Sequence, residues 1–262
     1  MEKVLSNPFK EKMQKGVEQF GIWLSTGAPV AAELAASCGY DWVVVDNEHG
    51  PNTLTSSLAQ LQALSAYPVH PIIRVRDHNP AGIKQVLDLG FKTIVLPMVD
   101  TRAQAEAAVS AMRYPPRGIR GVGATVARAS RWGRVPDYLR KAEETLCLVV
   151  QAESVEFIEN MDAITATDGV DAVFIGPMDL SASMGFIGQP GREEVLAAVE
   201  KIVRRVRGLG KGAGVFAVDP DFARLCMGWG ANVLGVDCDA LALTRALDAK
   251  LACFKKDGPL AF

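Results

Sequence analysis

The chain has 262 residues, within the usual range of one α/β barrel and long for most other single domains. Its 28 Lys+Arg against 30 Asp+Glu leave a net charge of −2, which excludes the electrostatic footprint of a nucleic-acid or anionic-membrane binder. An apolar share of 49% beside 22% charged residues fits a large core in a soluble protein, and no apolar run reaches the roughly 18 residues of a membrane span. The N-terminal MEKVLSNPFKEKMQKG lacks the apolar segment of a signal peptide. Five cysteines, with no C-x-x-C pair among them, read as unpaired thiols of a reducing compartment, so the cytoplasm is the expected location.

A charged helix is predicted over residues 10–15. After it, short apolar runs at residues 20–24, 42–45, 71–75, 93–97, 146–151, 172–175, 213–216 and 232–236 read as strands. Helix-like stretches lie between them, at 30–37, 53–65, 81–87, 101–112, 192–207, 220–228 and 241–254. Strand and helix alternating about eight times is the pattern of a (β/α)8 TIM barrel with an extra N-terminal helix. A doubly wound sheet competes, but the G-x-G-x-x-G fingerprint after its first strand is missing. No linker or charge block divides the chain, so one domain over residues 1–262 is expected. Residues 113–137, RYPPRGIRGVGATVARASRWGRVPD, are too long for an ordinary connection and carry five arginines ahead of Trp132 and Arg134. Such a loop covers a site, reaches a neighbouring subunit, or is simply solvated.

The second run is the informative one. In VVVDNEHGP the β-branched residues stop at Asp46, Asn47, Glu48 and His49, and Gly50-Pro51 turns the chain. The carboxyl ends of parallel strands are where ligands bind and chemistry sits. His49 is one of three histidines, and the imidazole is the side chain whose ordinary titration spans neutrality, so it is the candidate acid/base. Capping of the next helix is the plainer alternative. The other strand ends supply Arg74, Gln151 with Glu153, Gly176-Pro177 with Asp179, Asp219, and Asp237 with Asp239. Glu153 and Asp179 follow consecutive strands, so neighbouring strands would bring two carboxylates together. Without cysteine or histidine beside them they favour a hard divalent ion, Mg²⁺ or Mn²⁺ before Zn²⁺. Each could instead cap the helix that follows. No lysine ends a strand, which argues against a Schiff-base mechanism. Nor do GVFAVDP and GVDCDA after the last two strands offer the bare amides a phosphate needs, so a sugar phosphate is not the expected substrate.

With DNEHGPN, YPPRGIRGVG, QAES and IGPMDLS in place, the chain resembles the class II, metal-dependent pyruvate aldolases, a type similar to 4-hydroxy-2-oxoheptanedioate aldolase within the HpcH/HpaI aldolase/citrate lyase group. The likeness covers nearly the whole chain. It implies an aldehyde-lyase that reversibly cleaves 4-hydroxy-2-oxo acids to pyruvate, or a hydroxypyruvate-like donor, and an aldehyde such as succinate semialdehyde. It also implies His49 as proton acceptor, Arg74 as stabiliser of the developing enolate, and Asp88 as an acid that raises the basicity of the histidine. By the same resemblance Glu153 and Asp179 hold the metal, and Gln151 with the backbone at Met178 and Asp179 binds substrate. The expected cofactor is a divalent metal ion, Mg²⁺, Mn²⁺ or Co²⁺; the expected partners are small-molecule 2-oxo acids and aldehydes, within a homo-oligomer, a hexamer built as a trimer of dimers. Two departures concern the aldehyde side: Ala152 stands where the family commonly has a branched apolar residue, and Phe216 and Val218 are positions at which relatives vary. A citrate-lyase-like enzyme acting on a CoA thioester, and a barrel that only binds a dicarboxylate, are the competing functions.

Overall fold

The computed structural model describes residues 2–255. Each predicted run carries a strand: β1 (Gln19–Leu24), β2 (Trp42–Asp46), β3 (His70–Arg74), β4 (Thr93–Leu96), β5 (Cys147–Ala152), β6 (Val170–Ile175), β7 (Gly212–Phe216) and β8 (Val233–Cys238). All eight are parallel, pair in sequence order, and close as β8 meets β1. The helices outside are α2 (Pro29–Ser37), α3 (Leu54–Leu64), α4 (Pro80–Leu89), α5 (Arg102–Met112), α6 (Tyr138–Lys141), α7 (Val155–Thr165), α8 (Pro177–Ser183), α9 (Glu193–Gly208), α10 (Pro220–Trp229) and α11 (Asp239–Ala252), with α1 (Pro8–Gln14) ahead of the barrel. The fold is the expected (β/α)8 barrel.

The strands read as unbroken apolar runs because both their faces are buried. Val43, Val45, Ile73, Ile94, Leu148 and Val150 turn outward into the layer beneath the helices. Val44, Ile72, Val95, Val149 and Phe174 turn inward and fill the barrel together with Trp23 and Trp42. The predicted N-terminal helix has a definite place. Phe9 and Met13 of α1 are buried and close the amino-terminal mouth. Asn7 Nδ2 donates to Thr93 Oγ1 and the Thr145 carbonyl, and Asn232 Nδ2 donates to the Met13 carbonyl. His70 stacks on Phe9 at 5.4 Å between centroids, and burial depresses its pKa to about 3. That histidine is a neutral part of the plug, at the end of the barrel opposite His49.

Residues 113–137 do not cover the other mouth. Arg120, 1% exposed, lies over the Tyr114 ring and donates to Asp88 near the end of α4 at 2.7 Å, while Arg128 Nη1 donates to the Leu89 carbonyl. Arg113 pairs with Glu143 and Asp168, both at 2.8 Å. The arginines that made this segment conspicuous in the sequence therefore tie it to the outside of the barrel. Among the described residues, no helix is long and apolar enough to cross a membrane.

Aromatic bulk inside the barrel requires small residues opposite it. A Cβ at Gly21 would run into the indole of Trp42, which is fully buried. Gly21→Ala is therefore expected to cost about 1–3 kcal/mol through overpacking, read from urea unfolding; an unchanged midpoint would mean that Trp42 is not held in place.

Candidate active site

Register creates the centre of the site. Asp46 and Arg74 end β2 and β3 and are paired across the ladder, both facing inward. Arg74 Nε donates to Asp46 Oδ1 at 2.8 Å and Nη2 donates to Oδ2 at 2.6 Å, in the two-pronged geometry that only a guanidinium gives a carboxylate. The pair is buried, 8% and 2% exposed. Arg74 Nη1 also lies 2.8 Å from Glu48 Oε2, a close charge contact rather than an aligned hydrogen bond. Asp46 does more than hold the arginine. Its Oδ1 also accepts the amide N–H of Glu48 at 3.0 Å and of His49 at 3.4 Å, and its carbonyl accepts from Asn52 Nδ2. The turn that carries His49 is wound on this one aspartate. His49 itself is exposed at the mouth, and α3 is capped by Thr53 with Ser56 in a reciprocal capping box. Capping therefore does not account for His49.

Across the mouth, β5 and β6 are neighbours and deliver the two carboxylates together. Glu153 is 4% exposed. Its Oε1 accepts from Gln151 Nε2 at 2.5 Å and its Oε2 from the amide of Met98 at 3.2 Å. Met98 reaches it from a left-handed backbone, φ 50°, a conformation that costs a non-glycine residue energy and collects at functional sites. Asp179 stands in the first turn of α8, exposed, where the helix dipole favours a negative charge. Neither carboxylate serves as an N-cap: Ser154 caps α7, and Gly176 occupies the cap position of α8. The amides of Met178 and Asp179, just inside that helix start, have no acceptor within the helix. Gly176 separates the two acids. A Cβ there would stand 3.0 Å from Glu153 Oε1 and 3.5 Å from Asp179 Oδ2, so the bare backbone leaves a cleft between the carboxylates.

Burial, helped by the charges of Asp179 and Glu48, pushes the Glu153 carboxyl up to about 7, while the Met98 N–H and Arg74 pull the other way. Burial likewise raises Glu48. An oxygen-only donor set with an excess of negative charge, and a buried Gln151 Oε1 that has no partner, fits a hard divalent cation. Among the described residues no group of three or more His, Cys, Asp or Glu side chains converges on a metal position, so the protein would supply two carboxylates and leave the other positions to water or substrate.

These groups line one cavity of about 980 Å³ at the carboxyl ends of the strands: Asp46, His49, Arg74, Gln151, Glu153, Met178 and Asp179 are all on its wall. No described lysine lines it. Lys92 and Lys211 lie before their strands, their ammonium groups donating to the carbonyls of Ser6 and Val170. Asp88 is the exception among the expected site residues. It is not on the cavity wall, and its carboxylate is taken by Arg120. Within one chain the acids beside His49 are Asp46, which accepts the amides of its turn, and Glu48.

A family model described as HpcH/HpaI aldolase/citrate lyase matches residues 19–246. The chain belongs to this family. It is an enzyme, a carbon–carbon lyase of the kind the sequence motifs resemble. It is 52% identical over 255 residues to a 2-keto-3-deoxy-L-rhamnonate aldolase of Salmonella paratyphi B, covering 97% of this chain and 96% of that one. Among solved structures it is similar to an HpcH/HpaI aldolase/citrate lyase family protein from Burkholderia cenocepacia, with 35% identity, a TM-score of 0.91 and coverage of 94% and 98%. It is also similar to the citrate synthase SbnG, at 28% identity and a TM-score of 0.85, over 97% and 98% of the two chains.

The raised Glu153 carboxyl carries a pH signature. Its folded value lies above the ordinary 4.5, so its contribution to stability is full below that pH and is lost as pH rises through about 7. Metal-free protein should lose about 3 kcal/mol from this group between roughly pH 4.5 and 8, a loss that Glu153→Gln removes. Urea unfolding of both proteins in EDTA across that range checks it; parallel pH profiles would contradict it.

Proposed function

We propose that this protein is a metal-dependent aldolase that reversibly cleaves 4-hydroxy-2-oxo acids to pyruvate and an aldehyde. The observation that carries this reading is the placing of a fixed guanidinium, a paired-carboxylate cleft and an exposed imidazole around one cavity that no lysine lines among the described residues. The named relatives support it. 2-Keto-3-deoxy-L-rhamnonate is itself a 4-hydroxy-2-oxo acid, as is 4-hydroxy-2-oxoheptanedioate, and the two differ only beyond C4.

Retro-aldol cleavage at C3–C4 leaves the electron pair on the pyruvate fragment as an enolate. Glu153 and Asp179 would hold the divalent ion, Mg²⁺, Mn²⁺ or Co²⁺, with Gln151 beside them. When bound, such an ion supplies Lewis-acid polarisation of the 2-keto group. Arg74 contributes a charge that cannot be neutralised, and N–H donors not committed to Asp46. Because Asp46 holds its guanidinium on two bonds, that charge is already in place before the enolate forms. His49 accepts the C4 hydroxyl proton, directly or through a water, as the aldehyde carbonyl forms. In the condensation direction the same imidazole returns that proton, and enolisation of pyruvate needs a base at the same end of the cavity. The amides of Met178 and Asp179 are donors for the substrate carboxylate. The homo-oligomer implied by the family resemblance has support in α11, which buries no side chain and leaves Leu243 and Leu247 56% and 60% exposed.

Two outcomes test the mechanism class. Pyruvate release from a 4-hydroxy-2-oxo acid should vanish in EDTA and return with Mn²⁺ or Mg²⁺, and borohydride with pyruvate should add no mass to any lysine; full activity in metal-free protein, or a stable lysine adduct, would sink it. His49→Ala should lower turnover by about 10²–10⁴-fold while Mn²⁺ binding, followed by calorimetry, stays intact; wild-type cleavage at every pH would remove His49 from the mechanism.

A further inference from the structure

Of the three histidines, His49 stands at the site and His70 in the plug; His78, between β3 and α4, has no part in either. Its ring is not needed to start α4. Asn79 caps that helix through the amide of Ala81, and Asp77 accepts the amide of Asn79. Nor does His78 line the cavity. Its ring instead crosses to the segment that follows β4, where Nε2 lies 2.6 Å from the carbonyl oxygen of Pro97. A carbonyl only accepts, so Nε2 carries the proton and donates.

The peptide group it meets is the one that serves Glu153. The Pro97 carbonyl and the Met98 N–H belong to one planar unit, and in a trans amide they point in opposite directions. On one side the oxygen accepts from His78; on the other the N–H donates to Glu153 Oε2 at 3.2 Å. The left-handed φ of 50° at Met98 goes with this orientation. Turning the peptide over would let Met98 relax to a negative φ. It would also withdraw the N–H from Glu153 and aim a carbonyl at a buried carboxylate, which is costly.

Beyond Met98 the segment is anchored from the helices: Asn160 Nδ2 donates to the Asp100 carbonyl, and Gln104 Oε1 accepts the amides of Asp100 and Thr101. Those bonds fix the chain after Met98 but not the tilt of the peptide before it. Pro97 is buried, where a carbonyl that loses its donor is destabilising, so the His78 bond favours the strained orientation over the relaxed one. The bond also polarises the amide and strengthens its N–H as a donor.

We infer that His78 is a positioning residue for the metal-binding carboxylate: by holding the Pro97–Met98 peptide it keeps the Met98 N–H on Glu153 and fixes that carboxylate toward the cleft beside Gly176. This rests on the reading of Glu153 as a metal ligand. His78 touches neither Glu153 nor the cavity, and acts through a single peptide group. Groups that directly orient a ligating side chain are worth about 10–100-fold in metal affinity, and His78, one peptide further out, falls at about the lower end.

The test is calorimetric titration of Mn²⁺ into metal-free protein. His78→Phe keeps a planar ring without the donor, and His78→Leu is a second donor-free variant of different shape. Whichever of them folds should bind Mn²⁺ about tenfold more weakly than wild type. His78→Gln, whose amide N–H can take the place of Nε2–H, should stay within about threefold. A role confined to loop packing would lower the urea midpoint and leave Mn²⁺ affinity of the folded protein unchanged; that result overturns the inference. Equal losses in His78→Gln and the donor-free variants overturn it as well, because the donated bond is then not what matters. Glu153→Gln separates the two readings. Wild-type Mn²⁺ affinity in Glu153→Gln removes the metal-ligand reading and the inference with it, whereas loss there beside unchanged affinity in His78→Phe and His78→Leu overturns the inference alone.

Discussion

The site depends on the bidentate pair between Asp46 and Arg74. Two charges are taken out of water where β2 and β3 end, and that desolvation is offset by two short, aligned hydrogen bonds and by the amides that share the carboxylate. Removing either partner would strand the other charge in the barrel. The same carboxylate fixes the turn from which His49 projects, so the electrostatic element and the proton-transfer element share one anchor. The rigidity comes from register: both residues are the last of their strands, and ladder pairing leaves them no freedom to slide.

Opposite this pair lies the complementary problem, negative charge without enough positive charge. Glu153 accepts hydrogen bonds only from an amide side chain and a backbone N–H, and burial, helped by the acids nearby, pushes its carboxyl toward neutrality. Gly176 keeps the space between Glu153 and Asp179 open. A divalent cation would relieve both features. The barrel beneath is made rigid by aromatic packing, with Trp23 against Phe174, Trp42 and Phe216 at 4.9 to 5.5 Å between ring centroids. The α1 plug closes the far end, so substrate has one way in.

Much of this was legible in the sequence because a buried parallel strand writes itself as an apolar run that stops. The eight runs mark the eight strands to within a few residues, and the polar groups where they stop, His49, Arg74, Gln151, Glu153 and Asp179, all reach one cavity. What the sequence hid was relational. Asp46 appears there as one acid in a polar cluster; its hold on Arg74 comes from ladder register, which no single stretch displays. Asp88 entered only through resemblance, and its partner Arg120 comes from a loop whose path over α4 is set by tertiary contacts. The helices α6, α7 and α8 were absent from the predicted set. Of these, α6 has four residues and α8 is a seven-residue segment started by Pro177, both too short to show a helical period. Residues 113–137 stood out by length and charge, as a site cover, a subunit contact or a solvated loop, and Arg113, Arg117, Arg120 and Arg128 are engaged by Glu143, Asp168, Asp88 and the Leu89 carbonyl along the barrel wall.

The claim at the centre is that Arg74, fixed by Asp46, stabilises the negative charge on the pyruvate fragment. Exchange of pyruvate methyl protons with D₂O isolates that step, since it requires an enolate but no aldehyde, and NMR follows it without a coupled assay. Wild-type protein supplied with Mn²⁺ or Mg²⁺ should exchange readily. Arg74→Lys, which keeps a charge but loses the planar fork, should slow the exchange by about 10²–10³-fold. Exchange by Arg74→Lys at the wild-type rate would show that the enolate is stabilised elsewhere and that the Asp46–Arg74 pair is structural.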